Sequence, residues 1–579
     1  NFPVHWERPA HTRQFWTLDR QHFGRPLPPM AADVWRHQAC SGINRAFERY
    51  QLPIRLEICA INGYLYNCHQ PVAMPPEPVL KGLNALERFA PRLFRAVRRA
   101  VAARMAAAYL PKIAPVIGEL QTLWEHNWLP EIREHLAFWH AFDLPNAPEA
   151  ELAAHLAESL RRIERLWDLH FEIMAPAFIA LNQFQELHRQ HFGANTSGDP
   201  FAPHQLLHAE SNSFLQADRA LWLLSRKART LPSVRAALER LPADEIVPAL
   251  ERCTEGQIFL AELRAWLNRY GMCGQGSDGL SDSSWLEEPL PVFRHLQSIL
   301  RDPENDLEAE LRIQAAERNA AVEQAHQRLL TQPAQVRERY MNALRAAQTA
   351  SFLSMEHHFW IDQQAMFCLR RVFLEIGRRG VAMGAFDRHD DVLYLTNDEV
   401  RSIVRRAQSP ELRTHIAERK TDLARARTLT PPSYLGTRPL MPPPPEDPFV
   451  RAMTQVLGAE ALGLAERKGR PTPREFVGQA ASPGVARGPV RILRELNDSA
   501  RLRRGDILVA EATLPVWTPL FTIAAGVVTD VGGTLSHAAI TAREYGIPAV
   551  VGARDASTVL RDDQLVELDG STGVVRLIE

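Results

Sequence analysis

The sequence predicts a multidomain protein in which a long, mainly helical N-terminal part precedes a smaller C-terminal part built on a β-sheet. A chain of 579 residues is too long for one hydrophobic core. From about residue 78 to residue 427, apolar residues recur at helical spacing, as in Leu120, Trp124 and Trp128. Beyond about residue 476, short runs rich in Val, Ile and Gly are separated by turn signals. They predict six strands, at 490–493, 507–510, 527–529, 549–551, 565–568 and 573–577.

Composition excludes several classes of protein. The formal net charge is -1, so no basic excess indicates a nucleic-acid partner. Six cysteines show neither a CxxC pair nor a His/Cys spacing suited to zinc, which favours a reducing compartment and no structural metal. We find no apolar run that approaches the ~18 residues needed to span a membrane and no signal peptide, and therefore expect a cytoplasmic protein without a membrane partner.

Four segments interrupt the helical pattern. Asn62-Gly63, between an Ile-rich and a Tyr-rich run, predicts a hairpin. Residues 271–279 are glycine-rich but follow a helix and lack the Lys-Ser/Thr of a phosphate loop, so we interpret them as a plain loop. Residues 390–400 predict a short strand and a capped helix. The Pro-rich run 430–445 cannot be helical and is the best linker candidate.

These observations predict three parts of the chain. They are a mainly helical domain at 1–428, a Pro-rich connecting segment at 429–472, and a C-terminal domain at 473–579.

The most informative stretch lies in the C-terminal domain. An apolar strand at 525–530 leads into Gly532-Gly533, after which Ser536 is predicted to cap a helix that starts at His537. The positive end of a helix dipole keeps such an imidazole neutral, and therefore nucleophilic, and the free N–H groups of the first turn favour an anion on the ring. The two glycines allow a phosphate to approach the backbone closely. The alternative is a strand–turn–helix unit with an incidental histidine.

The run from Gly532 to Gly552, Gly-Gly-Thr-Leu-Ser-His-Ala-Ala-Ile-Thr-Ala-Arg-Glu-Tyr-Gly-Ile-Pro-Ala-Val-Val-Gly, resembles the phosphohistidine signature of the swivelling domain of phosphoenolpyruvate-utilising enzymes. Residues 481–490 resemble the segment that opens that domain. The resemblance implies a β/β/α domain that swings between two active sites while His537 carries a phosphoryl group. It also suggests phosphate-binding residues, which are Gly532, Gly533, Thr534, Ser536 and Arg543.

The helical part has a looser resemblance. The opening segment 16–27 and residues 390–400 are similar to the substrate-binding domain of rifampin phosphotransferase and to the phosphohistidine-bearing subunit of phenylphosphate synthase. One departure stands out, because Met272-Cys273 occupies the place where these relatives tend to have an aromatic residue followed by Arg. If that Arg contacts the substrate in the relatives, the substrate or its anchoring differs here.

Residues 355–363 form the densest titratable cluster of the helical part. His358 and Asp362 lie four residues apart on one helical face, the arrangement of a histidine general base oriented by a carboxylate. The resemblance adds Glu356-His357, because the relatives carry an acidic–His pair there. The alternative is a helix with an internally paired histidine and core aromatics. Candidate residues for lining the substrate pocket are Phe359, Trp360, His170, Tyr64 and Tyr66, the two tyrosines being more often core residues.

Nothing in the chain resembles the ATP-grasp domain that loads the histidine in the multidomain relatives, or their TIM barrel. The resemblance therefore implies a carrier-plus-acceptor subunit that binds no cofactor permanently. A separate ATP-grasp partner would use Mg and ATP to phosphorylate His537, which would pass the group to a small, phenolic hydroxyl. Three alternatives stay open: an antibiotic or alcohol phosphotransferase, loading by phosphoenolpyruvate, and a non-enzymatic, phosphorylatable regulator.

Overall fold

In this computed structural model the chain divides into two compact units. The first comprises residues 1–183, 368–470 and 531–536, and the second comprises residues 184–367, 471–530 and 537–579. The predicted domain boundaries at 428 and 473 stay a prediction. The structure describes residues 2–72, 77–193, 203–207, 211–274, 278–301, 306–403, 410–439, 443–462, 464, 474–514 and 517–578. Parts of two predicted loops therefore lie outside the described residues, namely 275–277 and 440–442, as does most of the predicted connection 463–473.

Helices dominate the chain up to residue 457, and strands dominate beyond it. The helices are α1 (Pro29–Val34), α2 (Cys40–Tyr50), α3 (Glu77–Phe89), α4 (Pro91–Gly118), α5 (Leu120–Leu123), α6 (Leu129–Ala141), α7 (Glu149–Phe192), α8 (Ser213–Thr230), α9 (Pro232–Arg240), α10 (Ala243–Leu250), α11 (Thr254–Tyr270), α12 (Leu290–Arg301), α13 (Leu307–Leu329), α14 (Ala334–His357), α15 (Met366–Ala382), α16 (Asn397–Ile403), α17 (Pro410–Ala426), α18 (Pro448–Leu457), α19 (Thr518–Phe521), α20 (His537–Glu544) and α21 (Ala556–Val559). The strands are β1 (Phe15–Leu18), β2 (Ile54–Ile61), β3 (Tyr64–Pro71), β4 (Tyr434–Gly436), β5 (Glu475–Val477), β6 (Gln479–Ser482), β7 (Val485–Ile492), β8 (Ile507–Ala510), β9 (Gly526–Thr529), β10 (Ala549–Val551), β11 (Leu565–Asp569) and β12 (Val574–Leu577).

The first unit contains an antiparallel sheet of four strands in the order β2-β3-β1-β4. The predicted hairpin is confirmed, with Ile61 paired to Tyr64 across a two-residue turn. Asn62 and Gly63 both have positive φ, 52° and 79°, which is the backbone of the tight turn that favours Asn-Gly.

Helix α2 packs closely against α7 in the first unit. The Arg49 guanidinium donates to both carboxylate oxygens of Asp168, at 2.8 Å each. A Cβ built on Gly42 would lie 2.3 Å from the Glu164 carbonyl oxygen, so only glycine fits between the two helices here.

The second unit contains an eight-stranded sheet in the order β5-β12-β11-β7-β8-β9-β10-β6. The central strands β7, β8, β9 and β10 run parallel, and antiparallel strands flank them. The six strands predicted from apolar runs are confirmed as β7 to β12. Strands β5 and β6 were not predicted, because they are short and β6 (Gln479–Ser482) has no apolar alternation.

One hydrophobic cluster of the second unit contains helical and sheet residues together. Phe214 and Leu267 of the helices belong to the same buried cluster as Val527 of β9 and Ala539 of α20. Because burial of apolar surface is the main favourable term in folding, this shared core holds α20 against the helices of the unit.

The predicted strand within 390–400 is wrong. Residues His389–Tyr394 form a 3₁₀-helix. The Asp391 carboxylate accepts hydrogen bonds from the backbone N–H groups of Asp387 and Arg388, both at 3.1 Å, and these bonds stabilise the helical turn.

The expectation that no stretch is long and apolar enough to cross a membrane is also wrong. Helix α4 has an 18-residue window of mean hydropathy 1.3, of which 22% is buried. It meets the criteria of length and composition only. A single helix of this kind is weak evidence for a membrane span.

We predict that Gly42→Ala destabilises the first unit by about 1–3 kcal/mol, because the added methyl group overpacks the contact between α2 and α7. The matched control is Gly82→Ala on the exposed face of α3, where a Cβ meets nothing within 4 Å. That control is expected to gain up to about 1 kcal/mol from helix propensity. Urea unfolding of both variants measures the difference, and equal stability of Gly42→Ala and wild type would contradict the packing argument.

Candidate functional site

The Gly-Gly loop that precedes α20 packs against the end of α18 within the first unit. The N–H groups of Gly533 and Leu535 donate to the carbonyl oxygens of Val456 and Gln455, at 3.2 and 2.7 Å. A Cβ on Gly533 would lie 2.1 Å from the Gln455 carbonyl oxygen. Gly533 is therefore required by the backbone packing, whatever it contributes to phosphate binding.

His537 begins α20 as predicted, and its ring is half-buried. Its Nε2 lies 3.0 Å from the Thr541 hydroxyl one turn along the helix, and its enclosed Nδ1 makes no hydrogen bond. Burial lowers the pKa of His537 well below 6.5, and the charge that nearby His358 carries when protonated lowers it further, while the backbone of Thr513 opposes the shift. The ring is therefore neutral at neutral pH, with burial as the main cause.

The other residues predicted to bind phosphate differ from one another in their contacts and burial. The predicted Ser536 cap is wrong, because its buried Oγ makes no hydrogen bond. Arg543 Nε donates to the Ala481 carbonyl at 2.6 Å and so ties α20 to β6. Burial lowers the pKa of Arg543 to about 10, which still leaves it charged at neutral pH. Gly532 has φ 105° and is buried, whereas Thr534 is half-buried.

His358 and Asp362 form the histidine–carboxylate pair that their spacing predicts. His358 Nδ1 donates to Asp362 Oδ2 at 2.6 Å, and the two side chains are 12% and 10% exposed. This bond fixes the tautomer and leaves the lone pair of the neutral ring on Nε2. The Nε2 atom is therefore the one that can accept a proton.

The pair lies on a π-helix, His358–Ala365, rather than on an α-helix. The wider turn brings Gln363 to the same side as His358, with Gln363 Nε2 at 3.5 Å from His358 Nε2. Gln363 Oε1 accepts from the Gly274 N–H at 3.0 Å. Sequence reasoning missed Gln363 because a spacing of five residues places it off the face of an α-helix. Short π-helical turns often occur at functional sites.

Glu356 and His357 make different contacts. The Glu356 carboxylate accepts from the Ser213 backbone N–H, from the Ser213 hydroxyl at 3.0 Å and from Trp360 Nε1 at 2.9 Å. It thereby stabilises the first turn of α8, where N–H groups lack helical partners. His357 Nδ1 donates to the Leu353 carbonyl at 2.8 Å. The geometry favours His358 over Glu356 as the base.

The aromatic pocket candidates pack against other rings or the backbone. Phe359 is 2% exposed, belongs to the core of the second unit, and contacts Phe214 at a ring distance of 5.3 Å. In the first unit, the His170 ring stacks on Trp167 at 4.6 Å. The hydroxyl groups of Tyr64 and Tyr66 donate to carbonyl oxygens of residues 426 and 432, at 3.3 and 2.9 Å. Their contacts are those of core residues.

Met272-Cys273, the departure from the relatives, lies near the π-helix. Both side chains are buried, and burial raises the pKa of the Cys273 thiol, so it is not a reactive thiolate. The next residue, Gly274, donates to Gln363. The departure thus borders the elements that carry His358.

Two family descriptions match parts of the chain. Residues 502–573 match "PEP-utilising enzyme, mobile domain", and residues 170–353 match "Rifampicin phosphotransferase fourth domain". Residues 502–573 are thus similar to the mobile domain of the PEP-utilising enzymes, and they include His537. The π-helix begins at His358, five residues after the end of the rifampicin phosphotransferase match.

Similar proteins cover the chain to different extents. Over its whole length the chain is 35% identical to a segment of chondramide synthase from Chondromyces crocatus, and that segment makes up 14% of the synthase. Over 97% of its length the chain is 26% identical to the uncharacterized phosphotransferase YvkC from Bacillus subtilis, and the match covers 62% of YvkC. Over 60% of its length it is 28% identical to rifampicin phosphotransferase from Bacillus cereus, and the match covers 38% of that enzyme. The chain thus spans less than two thirds of each of these relatives. No similarity to phenylphosphate synthase is among these findings.

We predict that the His537 ring titrates below pH 6.5 and that His358→Gln moves its pKa only part of the way back, because burial is the larger cause. Carbon-13 histidine NMR measures this, with the resonance assigned by its loss in His537→Asn. His389→Gln, on an exposed residue of the first unit, is the matched control and should leave the resonance unchanged. A wild-type pKa near 6.5 would contradict the burial argument. Because the folded-state pKa is the lower one, His537 reduces stability as pH falls below 6.5.

Proposed function

We propose that the chain is the carrier and acceptor part of a phosphotransferase, in which His537 accepts a phosphoryl group and passes it to the hydroxyl of a small, phenolic acceptor. The observation that carries the proposal lies within the second unit. There the charge that His358 carries when protonated lowers the pKa of the His537 ring, and His358 is paired with Asp362. A base beside a phosphorylatable histidine is the arrangement that transfer to a hydroxyl needs.

The loading step takes place on neutral His537. By analogy with the family, a ring nitrogen attacks the β-phosphorus of ATP, AMP leaves, and water takes the γ-phosphoryl group as phosphate. The depressed pKa favours this step, because the ring holds a lone pair over the whole range near neutrality. Loading requires a catalytic domain that binds Mg and ATP, which we assign to a separate ATP-grasp partner. YvkC and rifampicin phosphotransferase both extend well beyond the part that this chain matches.

The transfer step breaks the N–P bond as the acceptor oxygen bonds to phosphorus. The acceptor proton passes to His358 Nε2, and Asp362 stabilises the resulting imidazolium. The low basicity of His537 makes its ring nitrogen a good leaving group, so the same burial that favours loading also favours transfer. A phenol needs less help from a base than an alkanol does, because it ionises near pH ~10.

Two other functions remain as alternatives. Similarity to rifampicin phosphotransferase favours an antibiotic or alcohol hydroxyl as the acceptor, with ATP or phosphoenolpyruvate as the donor. A phosphorylatable regulator would use His537 without any acceptor. The experiments below distinguish these functions, because a regulator keeps its phosphoryl group when phenols or alcohols are added.

We expect β-labelled ATP to label the chain only when the host's soluble extract is present, and His537→Ala to abolish the label. The label should be acid-labile and base-stable, as a phosphoryl group on nitrogen is. Labelling of the purified chain alone would contradict the need for a separate partner. If neither condition gives a label, loading from ATP is excluded and labelled phosphoenolpyruvate becomes the next donor to test.

We expect Asp362→Asn to slow discharge of the labelled chain by about 10²-fold with an alkanol and by less with a phenol, because only the base step is impaired. Discharge is followed by loss of label in single turnover. Asp33→Asn is the matched control, since Asp33 pairs with His37 at 3.1 Å with the same spacing of four residues in the first unit. Equal losses with both acceptors would indicate a structural role for Asp362.

A further inference from the structure

The second unit contains a pocket that the proposed function does not use. It spans about 840 Å³ of space between atoms, a volume that includes open solvent. Helices α8, α11 and α12 contribute one side, through residues that include Leu221, Trp266 and Val292. Leu502 and Leu520 of the mobile domain contribute the other side. An occupant would therefore touch both parts at once.

The helical wall of this pocket suits a flat ring. The indoles of Trp266 and Trp285 lie nearly parallel, with centroids 6.1 Å apart and planes at 22°. Trp285 is 9% exposed, and its enclosed Nε1–H makes no hydrogen bond. The two indoles therefore offer flat apolar surface to an occupant of the pocket.

The charges around the pocket favour an anion. Arg294 and Arg301 of α12 line it, and both are cationic. Burial raises the pKa of Asp218, the acid of the lining, to about 7, and the Tyr545 hydroxyl donates to its carboxylate at 3.1 Å. His295 is neutral, because burial lowers its pKa to about 4. The lining itself thus carries two arginines and one carboxyl.

The pocket is distinct from the phosphoryl-transfer site. Its lining contains none of His537, His358 and Asp362. Reacting atoms must approach to about 3–3.5 Å for transfer. A molecule bound beside Asp218 is thus not placed to receive the phosphoryl group.

We propose that this pocket binds a planar aromatic anion, and that the bound molecule holds the mobile domain against the helices of the second unit. Because such a ligand contacts both sides, it binds the assembled arrangement in preference to any separated one and shifts the population towards it. Binding itself does not depend on the proposed function. We also expect bound ligand to slow reloading of His537, and this consequence does rest on the proposed function.

The probe for this pocket is 1-anilinonaphthalene-8-sulfonate, an aromatic anion whose fluorescence rises in apolar sites. We expect saturable binding to one site per chain. Arg294→Gln should weaken it about tenfold through loss of a charge-assisted contact. Trp285→Phe, which replaces the indole of the wall with a smaller ring, should weaken it about fivefold. Ser298→Trp should fill the pocket and abolish binding.

The matched control is Arg312→Gln, on an exposed position of α13 outside the pocket lining, which should bind the probe as wild type does. Absence of saturable binding would overturn the proposal, and so would unchanged affinity in all three pocket variants, since the probe would then bind elsewhere. Hydrogen exchange tests the holding role. Bound probe should slow exchange in α19 as well as in α12, and protection of α12 alone would overturn that role. Probe binding to a chain that never accepts label would separate failure of the proposed function from failure of this inference.

Discussion

The apolar core that α20 shares with the helices of the second unit is the constraint on which the site depends. Ala538, Ala539 and Ala542 of α20 are buried in the same cluster as Phe214 and Met355. Small side chains let the helix lie close to its neighbours, and the packing removes water from one side of His537. Desolvation then accounts for most of the depression of its pKa, so a packing interaction controls the chemistry of the ring.

The π-helix shows how a local change of backbone supplies the second half of the site. Over His358–Ala365 the wider turn keeps His358 and Asp362 in contact at 2.6 Å and adds Gln363 on the same side. Gln363 also accepts from Gly274, so the loop beside Met272-Cys273 is bonded to the element that carries the base. A substitution in that loop therefore acts on His358 through the contacts of Gln363 with Gly274 and with the His358 ring.

Three titratable groups of the second unit have pKa values shifted towards their neutral forms. Burial raises the pKa of Glu544 to about 8 and that of Asp218 to about 7, and it lowers that of His295 to about 4. A carboxyl with a raised pKa makes the folded state less stable as pH rises from its pKa in the unfolded chain towards its pKa in the folded protein. A histidine with a lowered pKa makes the folded state less stable as pH falls between its two pKa values. Between about pH 4.5 and 6.5 the carboxyls and the histidine therefore have opposite effects on stability, and from pH 6.5 towards 8 only the loss from the carboxyls continues.

The sequence by itself determined the local structure wherever a short pattern is sufficient. Asn62-Gly63 specified the hairpin, six apolar runs specified six strands, and the Gly-Gly turn before His537 specified the start of α20. The resemblance around His537 specified the mobile domain. These features depend on residues that are neighbours in the sequence, and they can therefore be predicted from it.

Only the tertiary structure decided which groups meet. It assigned Glu356 to the first turn of α8, placed Phe359 in the core and left Ser536 without the predicted cap bond. It also turned the predicted strand at 390–395 into a 3₁₀-helix and placed Gln363 beside His358. Such outcomes follow from packing between residues that are far apart in the chain. This packing overrides local propensity, and the spacing of residues in the sequence does not predict it.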